Sequence, residues 1–388
     1  MMSKFFLFFI LLAICFPQDI LGKKKKKPSK KLSELKPRFN NTISYYVDNS
    51  MFKYETFIQN IFKQLETSGC LKFEQKKTEI KHSGINYFLT SNKTDIIRYD
   101  DLNKPTNIYL TNSDLSGNYR LPYFLTGMAL GLIPELTRYD RDEYVTVYLK
   151  NVDPFYMKFY KKETIKRDYL GSFDYGSIML LSNSFARKSS KPTYTYKLYP
   201  HYDHVIELFD GFTVNDHRRL YFMYCKDKCP NLEKCHNRGW PLDDCGGCVC
   251  YHFHFERLKC ESYPMDNNLS CGRKYYRSFS KKLFISRKSL NDTCSFIIES
   301  PKKKKISITI KSLTFLNKPS CVGYEGLHIY YQPEWSGKPF YLCYNATNIT
   351  LPPLSKKIYI RYYTYGRDFA DFTIMYHDAY KKQLKSLT

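Results

Sequence analysis

Six cysteines fall between positions 229 and 260 of this 388-residue chain: Cys229, Cys235, Cys245, Cys248, Cys250 and Cys260. So dense a cluster constrains the fold before any other pattern does. Either it staples a small loop-rich unit through disulfides, or the Cys245-x-x-Cys248-x-Cys250 run cages a metal. The full count favours disulfides. Of thirteen cysteines, Cys15 lies in a leading apolar run, which leaves twelve, an even number suited to an oxidising compartment. Pairing within the six is left open by the residues alone.

The N-terminus fits that compartment. Met1, Met2, Ser3 and Lys4 precede a short apolar run from Phe5 to Phe16. The run is too short to span a bilayer and reads as a cleaved signal peptide over 1–22, with a cut near Gly22. No later stretch is apolar enough to cross a membrane. Six Asn-x-Ser/Thr sequons, at Asn40, Asn92, Asn268, Asn291, Asn345 and Asn348, add the expectation of a glycosylated, secreted, extracellular protein.

The formal net charge is +24. Attraction to an anionic polysaccharide or membrane surface is one reading of that charge. The other is compositional, because Lys, Tyr, Phe and Asn are abundant together, as AT-rich coding would produce. Two blocks stand out, Lys23–Lys27 with Lys30 and Lys31, and Lys302–Lys305. The first reads as a Lys-rich linker or remnant propeptide over 23–37. Nucleic acid is not an expected partner outside the cell. His201 with His204 and His252 with His254 have metal-binding spacings, but isolated pairs of this kind read better as surface histidines.

Hydrophobic periodicity places the main elements. Ile43–Val47 alternates as a strand. Phe52–Thr67 is helical, with Phe57, Ile58, Ile61, Phe62 and Leu65 on one stripe. Leu71–Glu74 reads as a strand, and the interval between 86 and 120 contains no cysteine. Beyond residue 300, strand-like runs at Ser307–Phe315, Gly326–Tyr331, Lys357–Tyr363 and Phe372–Tyr376 fit a β-sandwich.

One stretch carries chemistry by what it lacks. Phe124-Leu125-Thr126-Gly127-Met128-Ala129-Leu130-Gly131-Leu132-Ile133-Pro134-Glu135-Leu136-Thr137-Arg138 has the spacing of the zinc-protease helix H-E-x-x-H-x-x-G-x-x-H-E-x-x-R. Tyr139–Val147 and Asn151-Val152-Asp153-Pro154 follow, and Tyr175-Gly176-Ser177-Ile178-Met179-Leu180-Leu181 resembles a Met-turn. These three collinear runs resemble the astacin family of metzincin zinc endopeptidases. Laid on that pattern, the three histidine ligands fall on Phe124, Met128 and Pro134. The general base falls on Leu125, and the tyrosine that assists at the metal falls on Leu181. Catalytic zinc requires three nitrogen or oxygen ligands and an open position, and it is zinc that lowers the pKa of the attacking water. Phe and Pro supply no ligand, and a Met thioether is a poor one for zinc.

The resemblance implies an α+β astacin-like peptidase domain over 38–225, with Asn107–Thr111 as the strand before the helix, a small disulfide-rich EGF-like module over 226–262 and an all-β CUB sandwich over 271–378. It implies the pairings Cys70–Cys225, Cys229–Cys245, Cys235–Cys248, Cys250–Cys260, Cys271–Cys294 and Cys321–Cys343. Many CUB domains bind calcium. Glu325 keeps one acidic position, but a second falls near Tyr365, so no calcium is expected. No metal or cofactor is expected at the degenerate site, although zinc is the family's. The expectation is a non-enzymatic relative that binds extracellular proteins, with acidic polysaccharide a further candidate partner. The rival readings are an active metalloendopeptidase and a purely structural matrix component.

Overall fold

In the computed structural model, the described residues are 37–66, 69–117, 119–167, 170–197, 211–230, 235–250, 259–261, 269–316, 325–332, 337–366 and 369–380. The expected leader and nearly all of the linker lie outside them. So do His201, His204, His252, His254, Asn268 and Cys321.

The first half is built on a five-stranded sheet of β1 (Thr42–Val47), β2 (Lys72–Lys76), β3 (Ile85–Leu89), β4 (Asp95–Ile97) and β5 (Thr106–Leu110), in the order β2-β1-β3-β5-β4. All neighbours are parallel except β4, which runs antiparallel to β5 at the edge. Parallel pairing requires crossovers, and α1 (Glu55–Glu66) supplies the one between β1 and β2. Its expected stripe holds: Ile58, Ile61, Phe62 and Leu65 are buried, with Phe57 half-buried. The predicted helix begins late, however. Asn49–Tyr54 is a 3-10 turn in which the Asp48 carboxylate accepts from the Ser50 backbone, and Phe52 is 68% exposed. An Asx-type bond at Asp48 wins locally over the apolar periodicity.

The short α2 (Asn112–Gly117) leads into α3 (Arg120–Ala129), which carries the first part of the run at 124–138. A small ribbon of β6 (Val145–Val147) and β7 (Tyr194–Tyr196) follows, and α4 (Val214–Tyr224) closes this lobe. A capping box starts α4, with the Thr213 hydroxyl and the Asp216 carboxylate bonding reciprocally across its first turn. Its end is tied to the start of the lobe by the Cys70–Cys225 disulfide across 155 residues. On the chain-entropy account, so long a closed loop is worth about 5 kcal/mol.

The cysteine cluster is knit by Cys229–Cys245, Cys235–Cys248 and Cys250–Cys260 around the ribbon of β8 (Trp240–Pro241) and β9 (Cys248–Val249). Trp240 is 1% exposed.

The remainder is a sandwich of two sheets. One comprises β10 (Tyr275–Arg277), β12 (Cys294–Glu299), β14 (Gly326–Tyr330), β15 (Phe340–Leu342) and β17 (Lys357–Tyr363), in the order β10-β12-β17-β14-β15. The other comprises β11 (Leu283–Leu290), β13 (Ile306–Phe315), β16 (Ala346–Leu351) and β18 (Ala370–Asp378), in the order β11-β18-β13-β16. Alternating strands bury Ile308, Ile310, Ile358, Ile360, Phe372 and Ile374 between the sheets. Cys271–Cys294 staples one end, and Cys343 is also disulfide-bonded.

Candidate functional site

The helix α3 lies with its first turn fixed by Arg120, whose guanidinium donates to the carbonyls of Ser177 and Leu180 at 3.1 Å each. Midway, the Thr126 hydroxyl lies 2.8 Å from the Tyr87 hydroxyl and donates to the Pro122 carbonyl at 2.7 Å. The helix stops at Ala129, and Gly131 takes φ +98°, a conformation that favours glycine. A Cβ there would also meet Met223 Cε at 2.6 Å.

After that turn the chain comes back against the Met-turn segment. The Glu135 amide donates to the Met179 carbonyl at 2.9 Å. Met179 itself sits under the helix, since a Cβ on Gly127 would come 2.7 Å from its Sδ. Helix, left-handed glycine, returning segment and methionine turn are thus brought together. The motif carries no hint of how Glu135 and Asp174 are held.

Glu135 is fully buried and pairs with Arg219 at 2.5 Å and Arg138 at 3.5 Å. Arg219, from α4, also reaches Asp216 at 3.4 Å and the Leu170 carbonyl at 2.9 Å. Burial pushes the Glu135 carboxyl up against the opposing pull of the two arginines. Burial also pulls on the arginines, but Glu135 with Asp140 or Asp216 outweighs it and holds both above their ordinary range. This is a structural ion-pair cluster whose charges are mutually compensated. Asp174 is equally central. Its Oδ2 accepts from Thr213 and Asn215, and its Oδ1 accepts from the amides of Gly176 and Lys338. Arg138 and Gly176 are near neighbours, but no local pattern marks the rest of the cluster, because Thr213, Asn215 and Lys338 lie 39 to 164 residues from Asp174 along the chain.

The positions on which the sequence resemblance lays the ligands and the base are different in kind. Phe124 is 1% exposed and Leu125 is 0% exposed, and the Phe124 ring packs edge-on against Phe159. Pro134 is buried, and so is Leu181. Met128 is only half-buried, packed against the hydrophobic cluster. The helix ends before Gly131, so that residue belongs to the turn rather than to the helical face shared by 124 and 128. The Leu181 carbonyl accepts from the Tyr194 hydroxyl at 2.7 Å. A zinc ion does not fit this donor set, because the side chains at the four aligned helix and turn positions are hydrocarbon, thioether or ring carbon. Among the described residues no group of three or more His, Cys, Asp or Glu is placed to hold a metal.

Elsewhere, Glu325 in the sandwich accepts from the Tyr365 amide at 2.7 Å, so its carboxylate caps a turn at the position where calcium was considered. Asn40, Asn92, Asn291, Asn345 and Asn348 are all exposed. Among the described residues no helix is long and apolar enough to cross a membrane.

The parallel sheet, the helix with its glycine turn and the methionine turn beneath it together define a zinc-peptidase type of scaffold. The model of the Astacin peptidase family matches residues 31–225, half of the chain, and the chain belongs to that family. It is 25% identical over 334 residues to zinc metalloproteinase nas-34 of Caenorhabditis elegans, covering 82% of this chain and 52% of the relative. It is 27% identical over 213 residues to zinc metalloproteinase nas-31 of the same nematode, covering 50% of this chain and 33% of the relative. The chain therefore spans about half or less of the length of these curated relatives. Among solved structures, high choriolytic enzyme 1, a hatching enzyme zinc-protease from the medaka Oryzias latipes, matches with 17% identity and a TM-score of 0.39, over 47% of this chain and 88% of that one.

Proposed function

We propose that this astacin-family chain is an extracellular pseudoprotease, a binding protein that retains the peptidase scaffold without its chemistry. One observation carries the reading. The positions aligned with three zinc ligands and the general base are Phe124, Met128, Pro134 and Leu125, and all but Met128 are buried in the core. Without zinc nothing brings the pKa of a nucleophilic water toward neutrality, and Leu125 accepts no proton. The five disulfides among the described residues support a location outside the cytosol. The exposed sequons support N-glycosylation there. The partners under this reading are extracellular proteins, engaged through the surfaces of the lobe, an EGF-like cysteine-rich module and a CUB-like sandwich.

The relatives' names favour a second reading, a zinc metalloendopeptidase with displaced ligands. Metal analysis of the purified secreted protein, paired with a gelatin and peptide cleavage assay, separates the two. The proposal expects no stoichiometric zinc and no cleavage above a buffer blank. One zinc per chain with chelator-sensitive cleavage overturns it.

A further inference from the structure

The lysine run at 302–305 is separated in sequence from Lys281, Lys282 and Lys356, yet the sandwich brings all of them to one end. The turn between β12 and β13 is tied to the turn before β17 by the Ser300 amide bonding to the Lys356 carbonyl at 3.0 Å and the Ile306 amide to the Ser355 carbonyl at 2.8 Å. The same turn meets the end of β18 through the Ala379 amide and the Lys305 carbonyl at 2.8 Å. The turn between β10 and β11 joins through the Asp378 amide to the Phe279 carbonyl at 2.8 Å, and the Tyr380 hydroxyl donates to the Ser280 carbonyl at 3.0 Å. Three turns and a strand end thus form one hydrogen-bonded platform.

All seven lysines on this platform are exposed, and none makes an ion pair among the described residues. Arg277 adds an eighth exposed cation. Of the carboxylates at this end, Asp378 is 2% exposed and accepts from the Ser278 hydroxyl, which leaves Glu299 exposed. The opposite end of the sandwich is different. It carries Asp292, Glu325 and Asp371, together with the sequons at Asn291 and Asn345. Asn348 lies midway along β16, bonded to Lys311, so among the described residues no sequon falls on the turns of the basic end. A lysine-rich composition explains many lysines; it does not explain their convergence on the end without sequons and with nearly no opposing charge.

We propose that this end of the sandwich is a docking surface for a sulfated, acidic polysaccharide. Clustered like charges on a rigid platform raise the local concentration of a polyanion, and each contact is weakened by salt. Anionic lipid is the competing polyanion, but it is concentrated in the cytoplasmic leaflet, whereas the disulfides of this chain belong outside. The proposal uses only the extracellular location from the functional reading above. It stands or falls separately from the question of proteolysis.

The experiment uses the full secreted chain and a size-fractionated heparin oligosaccharide at physiological salt. One variant carries Lys281→Gln, Lys302→Gln, Lys304→Gln, Lys305→Gln and Lys356→Gln. A control carries Lys63→Gln, Lys77→Gln, Lys150→Gln, Lys188→Gln and Lys191→Gln, all exposed and elsewhere. Both retain the lysine run at 23–27, so its contribution cancels. The platform variant should bind heparin about tenfold or more weaker, with a shallower salt dependence, while the control stays within about twofold. Acetylation footprinting of the unmodified chain should show heparin shielding the 302–305 run and Lys281, which holds even if a variant folds poorly. Equal losses in both variants, no shielding, or binding to phosphatidylserine vesicles in place of heparin overturns the proposal.

Discussion

The Phe124 ring stands edge-on to Phe159, with centroids 5.4 Å apart and planes at 88°. The sequence resemblance lays the first metal ligand of the family's helix on Phe124, and Phe159 is 2% exposed on the segment that follows Asp153. The same segment reaches the sheet edge, where Lys158 pairs with Asp95 on β4 and Lys93 pairs with Asp153. Aromatic contact ties the helix to the segment packed against it.

Phe124→Ala is expected to cost about 3–5 kcal/mol of stability, because it deletes a buried ring and leaves a cavity beneath Phe159. Urea denaturation measures it. A loss below about 1 kcal/mol would mean that the ring is not part of the core.

Restoring Phe124→His, Leu125→Glu, Met128→His and Pro134→His together is expected to yield neither tight zinc binding nor proteolysis. Each buried polar group that finds no partner costs about 1–3 kcal/mol, and Leu181 still lacks the phenol. Gly131 and Met179 pull the other way, since the turns around the site persist. Zinc affinity of the quadruple variant decides, with circular dichroism to check folding. Restored cleavage would show that the remaining surroundings still suit a metal.

Much of this was legible in the residues, and the exceptions share a cause. The α1 stripe follows from period alone, because the helix buries one face, and the strands at 43–47 and 307–315 follow from their apolar alternation, although β13 buries Ile306–Ile310 on both faces; the strand at 107–111 was legible through the family resemblance. The Gly131 turn and Met179 were legible through spacing. The Asp174 hub and the Glu135–Arg219 pair were not. An isolated carboxylate looks alike whether it is solvated or gathers donors from distant segments. The lysine platform was legible only in part: 302–305 is a visible run, but Lys281 and Lys356 join it through strand pairing. Short elements such as α2 and β4 escaped, since six and three residues carry too little periodicity.

Disulfide mapping under non-reducing conditions should recover Cys70–Cys225, Cys229–Cys245, Cys235–Cys248, Cys250–Cys260 and Cys271–Cys294. Cys343 is expected to map to Cys321, which completes the twelve. A free thiol at any of these positions would contradict the plan.

Asp174→Ala should lower the thermal midpoint and loosen the sandwich from the lobe. The substitution strips acceptors from Thr213, Asn215 and the Lys338 amide at a site 1% exposed. The expected cost is about 2–4 kcal/mol, with Asp174→Asn milder because one carbonyl oxygen remains. Calorimetry should show the lobe and sandwich transitions separating. An unchanged single transition would mean that Asp174 is not the tie.

His217 provides a pH signature. It sits on α4 beside Phe212, with ring centroids 6.0 Å apart, and its Nδ1 is enclosed without a hydrogen-bond partner. Burial pushes its pKa down from 6.5 to about 4, although part of the residue remains accessible. The folded value lies below the unfolded one, so between about 6.5 and about 4 the unfolded chain binds a proton that the folded chain refuses. The contribution is complete above pH 6.5 and is lost as the pH falls through that window. Discounted for partial exposure, the loss at pH 4.5 is about 2 kcal/mol relative to pH 7. Carboxylates titrate over part of the same range, so the measurement is a difference. Urea unfolding of the unmodified protein and of His217→Phe, each at pH 7 and 4.5, isolates the imidazole. The variant should lose less stability on acidification, by about that amount. Identical losses in the two proteins would place His217 in water, with an ordinary pKa and no part in the acid response.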